Sequence, residues 1–253
     1  MKPEIITAII AAIVAMISAC ISIYGQVRVT QLADRLAKKR ESESRETQTA
    51  ALMSKYRDPL LRSAIDLQSR IFNIHQQRFL QFAFHRSPYD KNYAVYNTLY
   101  VIAEYLGWVE IMRREVQFLD LGDLETNRKL SDLLVGINQA FGSTRYSNIF
   151  QLYNGEQRAI GEIMLMPRSI DNSRGYECIG YATFVKKMSE PEFVRWFVQL
   201  TDTIEMIGNK LQVDEERLVR IHTKLIDLID FLDPHCVRIA SNLRTRIEQS
   251  SKS

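Results

Sequence analysis

IITAIIAAIVAMISACISIY, residues 5–24, carries no charged side chain, and only Thr7, Ser18, Cys20 and Ser22 interrupt its apolar character. A helix rises about 1.5 Å per residue, so a run of this length matches the roughly 30 Å hydrocarbon core of a bilayer. The stretch reads as a transmembrane anchor in contact with the lipid bilayer, and everything else in the chain is read outward from it.

Two rival readings compete with the anchor. A cleaved signal peptide also has an apolar core, and Ile17-Ser18-Ala19-Cys20 loosely follows the small-residue-then-cysteine pattern of a bacterial lipoprotein cleavage site, which would make Cys20 a lipidated residue. Against this, the apolar run continues past Cys20 through Ile21 and Ile23, and the leading MKPE sets its one lysine beside an acid. The other rival is a buried core helix. Topology follows from the cations: Arg28, Arg35, Lys38, Lys39 and Arg40 come soon after the run, and only Lys2 precedes it. The Lys/Arg bias beside a span sets its orientation. The expectation is therefore a single-pass protein of the inner (plasma) membrane, N-terminus outside and C-terminal bulk in the cytoplasm.

Composition agrees with that side of the membrane. Of the three cysteines, Cys20 lies within the anchor, so Cys178 and Cys236 alone are left, and no disulfide framework is implied. A formal charge of +3 is too mild to argue for nucleic acid as a partner. Residues 58–253 are long enough for a substantial core.

Within the anchor, Ala8, Ala12, Ala15, Ala19 and Ser22 recur at spacings of three and four and place small side chains along one seam. In lipid, where apolar burial supplies no net drive, such a seam lets two backbones approach and gain dispersion contacts. This suggests a homodimer. The same heptad continues through Gln26, Val29, Ala33 and Leu36, so a short coiled coil can prolong the seam before it fails at Arg40 and Glu43. Residues 38–49, KKRESESRETQT, hold no apolar side chain and read as a solvated helix or a flexible tether. The division is then an anchor over 1–24, a juxtamembrane coiled coil and charged tether over 25–57, a helical cytoplasmic domain over 58–247, and a disordered tail over 248–253.

The domain is expected to be all-α. Asp58-Pro59 looks like an N-cap followed by a first-turn proline, opening a helix that runs to about residue 84. A second helix over 89–119 is apolar on two faces and reads as the central one. A third spans 124–141 and stops at Gly142. Shorter pieces over 149–153 and 156–165 are separated at Asn154-Gly155. The run PRSIDNSRG, 167–175, reads as a loop and a lobe break. CIGYATFV, 178–185, mixes strand and helix signals and is taken as helix because no second strand is evident to pair with it. Ser189-Glu190-Pro191-Glu192 reads as a capping box opening a helix to about residue 207. A long helix over 214–232 ends at Asp233-Pro234, and an amphipathic piece follows over 237–247.

Chemistry is sparse. The four histidines include no pair spaced to share a helical face, so no metal site or cofactor is expected. Asp227, Asp230 and Asp233 read as a solvated face, and His235-Cys236, being adjacent, cannot face one another on a helix. There is no glycine-rich phosphate loop and no nucleophile elbow. The one constellation that stands out is polar: Glu104, Glu110, Arg113, Arg114 and Glu115, with Asn97, interrupt the central helix, and Arg158 and Glu162 offer an i, i+4 pair on a helix that can cross it. A buried charge persists only when paired. The cluster is thus either a polar pocket or a set of self-compensating ion pairs.

The reading reached from sequence is a membrane-anchored helical protein that leans away from enzymes: an interaction or regulatory module for a cytoplasmic protein partner. The alternatives are a tethered enzyme or ligand sensor with its site on the central helix, or a membrane-disrupting effector.

Overall fold

The structure, a computed structural model, describes residues 3–116, 124–168, 175–209 and 215–247, and within these the side chains of 13–44, 47, 54–115 and 125–247. Among these described residues 78% are helical and one two-stranded ribbon is formed, so the fold is all-α. The chain divides into two compact units, Met1–Ala51 and Leu52–Ser253.

The first unit is helical, within α1 (Pro3–His75). Its segment Ile13–Ser44 is long and apolar enough to span a membrane, and every side chain in it is exposed. At the end of the apolar run Arg28 Nη2 donates to Tyr24 Oη at 2.9 Å, an aromatic and cationic pairing of the kind that suits a headgroup region. The acidic and basic stretch after it is helix, one of the two forms its composition allowed. The Ala8 and Ala12 side chains, the 121–123 turn, residues 169–174 of the loop and the 248–253 tail lie outside the described residues.

In the second unit the expected helix start at Asp58-Pro59 is not observed: Pro59 lies inside α1. The Asp58 carboxylate is engaged elsewhere, by Arg57 at 3.2 Å and Arg238 at 3.0 Å, so it serves tertiary pairing rather than a cap. The helix also ends earlier than expected. Arg78 takes a left-handed conformation, φ 53°, and its guanidinium reaches Glu215 at 2.9 Å. The chain then restarts as α2 (Phe79–Arg86). Nothing local in NIHQQRF announces that break.

Ser87 caps α3 (Pro88–Ile111), its hydroxyl accepting from Asp90 N at 3.0 Å. This is the central helix: it packs against α2, α5 (Asn154–Ile163), α6 (Tyr181–Lys187) and α8 (Val198–Gly208), with Leu99, Ala103, Tyr105 and Ile111 fully buried. Its crossing with α5 is close. A Cβ on Gly161 would sit 2.8 Å from Leu106 O, so only hydrogen fits there. After Ile111 the helix widens into a π segment, Met112–Val116.

α4 (Leu124–Gly142) ends at the expected glycine. The piece expected over 149–153 is irregular, with Phe150 at φ 52°. Asn154-Gly155 does not break a helix but begins α5, where Tyr153 N donates to Glu156 Oε2 at 2.7 Å. Across the expected loop, β1 (Leu165–Pro167) pairs antiparallel with β2 (Tyr176–Cys178), so Cys178 closes a strand and helix resumes only at Tyr181. Three-residue strands carry no periodicity to read, and their pairing is tertiary information.

The expected capping box at Ser189 is also not formed. Its hydroxyl instead donates to Lys186 O at 2.8 Å and terminates α6. The following helix is split into α7 (Pro191–Val194) and α8. Phe184 meets Phe193 and Phe197 edge to face, with centroids 5.6 and 5.3 Å apart, and Phe193 lies tilted against Phe197 at 5.3 Å. Finally α9 (Glu216–Leu232) packs on α4. The piece over 237–247 is not an amphipathic helix but an irregular strap with one 3₁₀ turn, Ser241–Arg244.

Candidate functional site

The polar cluster on and beyond α3 separates into three arrangements. Glu110, 3% exposed, accepts from Arg113 Nε at 2.8 Å and from Arg114 Nε at 2.6 Å. Arg114 also reaches Glu162 at 3.1 Å. Burial alone would push the Glu110 carboxyl up, but the two guanidinium groups outweigh it and hold the carboxyl below its usual range. The pair expected between Arg158 and Glu162 is not formed. Arg158 is exposed, and Glu162 turns instead to the cation offered by the π segment.

Glu104 faces another way. Tyr100 Oη donates to Glu104 Oε1 at 3.1 Å, and Cys178 Sγ lies 3.7 Å from Glu104 O. Burial raises all three groups, the Glu104 carboxyl, the Tyr100 phenol and the Cys178 thiol. Glu115 is a third arrangement: the Tyr56 hydroxyl and the Tyr176 backbone N–H both donate to it, which ties the π segment to α1 and β2. Burial and then Glu115 push the Tyr56 phenol up to about 12. Asn97, for its part, accepts from Arg70 on α1. Arg70 lines a small apolar cavity with Leu67, Ile102 and Leu218, and the hydrogen bonds and ion pairs of the cluster fasten α3 to its neighbours.

Other buried polar groups went unread in the sequence. Asp233 does not lie on a solvated face: 4% exposed, it accepts from the backbone N–H groups of Val237, Arg238 and Ile239 at 3.0–3.2 Å and from Arg244 Nη2 at 2.7 Å. Burial would raise its carboxyl, but those donors lower it. Asp230 and Asp227 take Arg244 and Arg246 at 3.1 and 2.8 Å, so the three aspartates hold the C-terminal strap. Gln68 Nε2 and His222 Nε2 are 2.8 Å apart in the core, where burial lowers the imidazole to about 4.

Arg217 is fully buried. Its Nη1 donates to Ala140 O and Phe141 O at 2.9 and 2.7 Å, and its Nη2 to Ser143 O and Ser147 O at 2.8 and 2.7 Å. These include carbonyls at the end of α4, which have no partner within the helix. The signal was present in the sequence, since Arg217 stands one residue before Leu218 and four before Ile221 on the apolar face of α9.

The guanidinium of Arg217 supports one wall of a cleft of about 700 Å³, lined by Arg145, Tyr146, Tyr153, Asn154, Arg220 and Lys224 with the small and polar residues between them. Three of its side chains are cationic and none is acidic. The 143–153 segment is held from the other side by Gln157, whose Nε2 donates to Asn138 O at 3.0 Å and Leu152 O at 2.8 Å. Arg217 and Arg220 both lie over the Tyr146 ring, at 5.7 and 5.8 Å. The cleft draws on α4, α5, α9 and an irregular segment, four places that no local pattern joins. No family model matches the chain, and no curated protein or solved structure matches it.

Proposed function

We propose that this chain is a single-pass membrane protein whose C-terminal domain acts in the cytoplasm as a non-enzymatic interaction or regulatory module. The observation that carries the reading is the exposed apolar helix. Val14, Met16, Ile17, Ile21 and Ile23 are each more than half exposed, and every such side chain left in water forgoes about 1.5–3 kcal/mol of burial. A bilayer supplies the missing apolar surroundings. The cations from Arg28 to Arg40 favour the cytoplasmic orientation. The seam of Ala15, Ala19 and Ser22, continued toward Leu36, favours a parallel homodimer.

The test is membrane extraction together with thiol labelling of the full chain in cells. The protein should stay with the membrane after alkaline carbonate and should do so equally as Cys20→Ser, whereas a lipoprotein would be released by that change. Cys236 is exposed and Cys178 only partly so, with its thiol raised by burial, so Cys236 is the reporter. An impermeant maleimide should label it only after the membrane is opened. Labelling in intact cells would overturn the orientation, and release by carbonate would overturn the span.

A further inference from the structure

We infer that the cleft bounded by Arg145, Arg220 and Lys224 is a binding site for the phosphoryl group of a small organic phosphate. Neither Arg145 nor Arg220 meets a carboxylate within ion-pairing distance among the described residues. Lys224 shares Asp227, at 3.5 Å, with Arg246 at 2.8 Å. Gathering like charges around one concavity is unfavourable unless an anion answers them. Two guanidinium forks match the oxygens of a phosphoryl group better than a carboxylate, which one fork satisfies.

The walls are built in advance. The Arg217 guanidinium and the Gln157 amide fix the 143–153 segment through carbonyl contacts, so little ordering remains to be done when a ligand arrives. The carboxylate of Glu156, three residues after Tyr153, is engaged by Tyr153 N. A space of about 700 Å³ far exceeds a bare phosphate and falls in the range of small-molecule sites. The rings of Tyr146 and Tyr153 and the Asn154 amide offer the remainder of a ligand stacking faces and a hydrogen-bonding group. The cleft is built wholly from residues 136–224 and owes nothing to the apolar helix.

The test is calorimetric titration of the full chain in neutral detergent with sodium pyrophosphate, at ionic strength matched with sodium acetate. Saturable binding that weakens steeply with salt is expected, and at least a tenfold loss of affinity in R145Q/R220Q. R145Q alone, on an exposed side chain outside every helix, should lose at least threefold with an unchanged melting temperature. K38Q/K39Q, which removes the same charge elsewhere, should bind like the native chain. Absence of saturable binding, affinity within twofold of native in R145Q/R220Q, or an equal loss in K38Q/K39Q would each overturn the site. The source of the phosphoryl group is read by repeating the titration at the same matched ionic strength in phosphatidylcholine nanodiscs with and without phosphatidic acid. Weakened pyrophosphate affinity in the acidic discs supports the site with a lipid headgroup as its occupant, and unchanged affinity supports it with a soluble phosphate.

Discussion

Replacing Arg217 with methionine removes a buried cation while keeping most of its volume. Four carbonyl oxygens lose a charge-assisted donor: those of Ala140 and Phe141, met by Nη1 in the interior, and those of Ser143 and Ser147, met by Nη2 nearer the surface. Hydrogen bonds to a charged group are worth about 1.5–3 kcal/mol each. The sum is not additive, because the bonds share one group and water can reach the outer pair, and desolvation of the arginine is regained on its removal. The inner pair alone then sets the scale at about 3–5 kcal/mol. For a domain of this size, 1 kcal/mol moves the midpoint by roughly 2–4 °C, so the melting temperature followed by near-ultraviolet circular dichroism should fall by about 10 °C. Arg217→Lys, which keeps the charge but not the fork, should recover only part of the loss. A fall below about 2 °C for Arg217→Met would refute the reasoning, since it would mean the end of α4 does not depend on this guanidinium.

His222, neutral in the core with an imidazole lowered to about 4, contributes stability that is whole above about pH 6.5, its ordinary value, and is lost as pH falls toward 4; chemical denaturation across that window should show a decline that His222→Leu largely removes. Asp233→Asn should loosen the 237–247 strap and speed amide exchange at Val237 and Ile239 without slowing-down or speeding-up in α3. Leu99→Ala and Leu106→Ala, at 0% and 2% exposure, should each cost about 2–5 kcal/mol in urea titration, whereas Arg40→Ala should change stability by only a few tenths. A fragment beginning at Leu52 should be soluble and melt cooperatively; dye-detected apolar surface on it would show that the domain needs a further partner to cover it. Gly161→Ala, with a Cβ 2.8 Å from Leu106 O, should destabilise by about 1–3 kcal/mol through overpacking.

Features that depend on one stretch of chain at a time were legible in the residues themselves. The apolar run over 5–24, the two-faced helix now seen as α3, the stop at Gly142 and the end of α9 at Asp233 all follow from periodicity and local backbone chemistry, and so does the all-α class. What distant side chains do for one another was set by packing. Asp58 and Ser189 look like caps, yet one answers Arg238 and the other closes the helix before it. Arg78 turns left-handed just past the end of α1, and the Glu215 that its guanidinium meets is far away in sequence. Asp227 and Asp230 on α9 and Asp233 just past its end are spaced like a solvated face, and become a clasp only because Arg244 and Arg246 fold back on them. The basic cleft is the clearest case: Arg145, Arg220 and Lys224 are ordinary surface cations in sequence, and it takes the packing of α4, α5 and α9 around Arg217 to bring their charges to one concave surface.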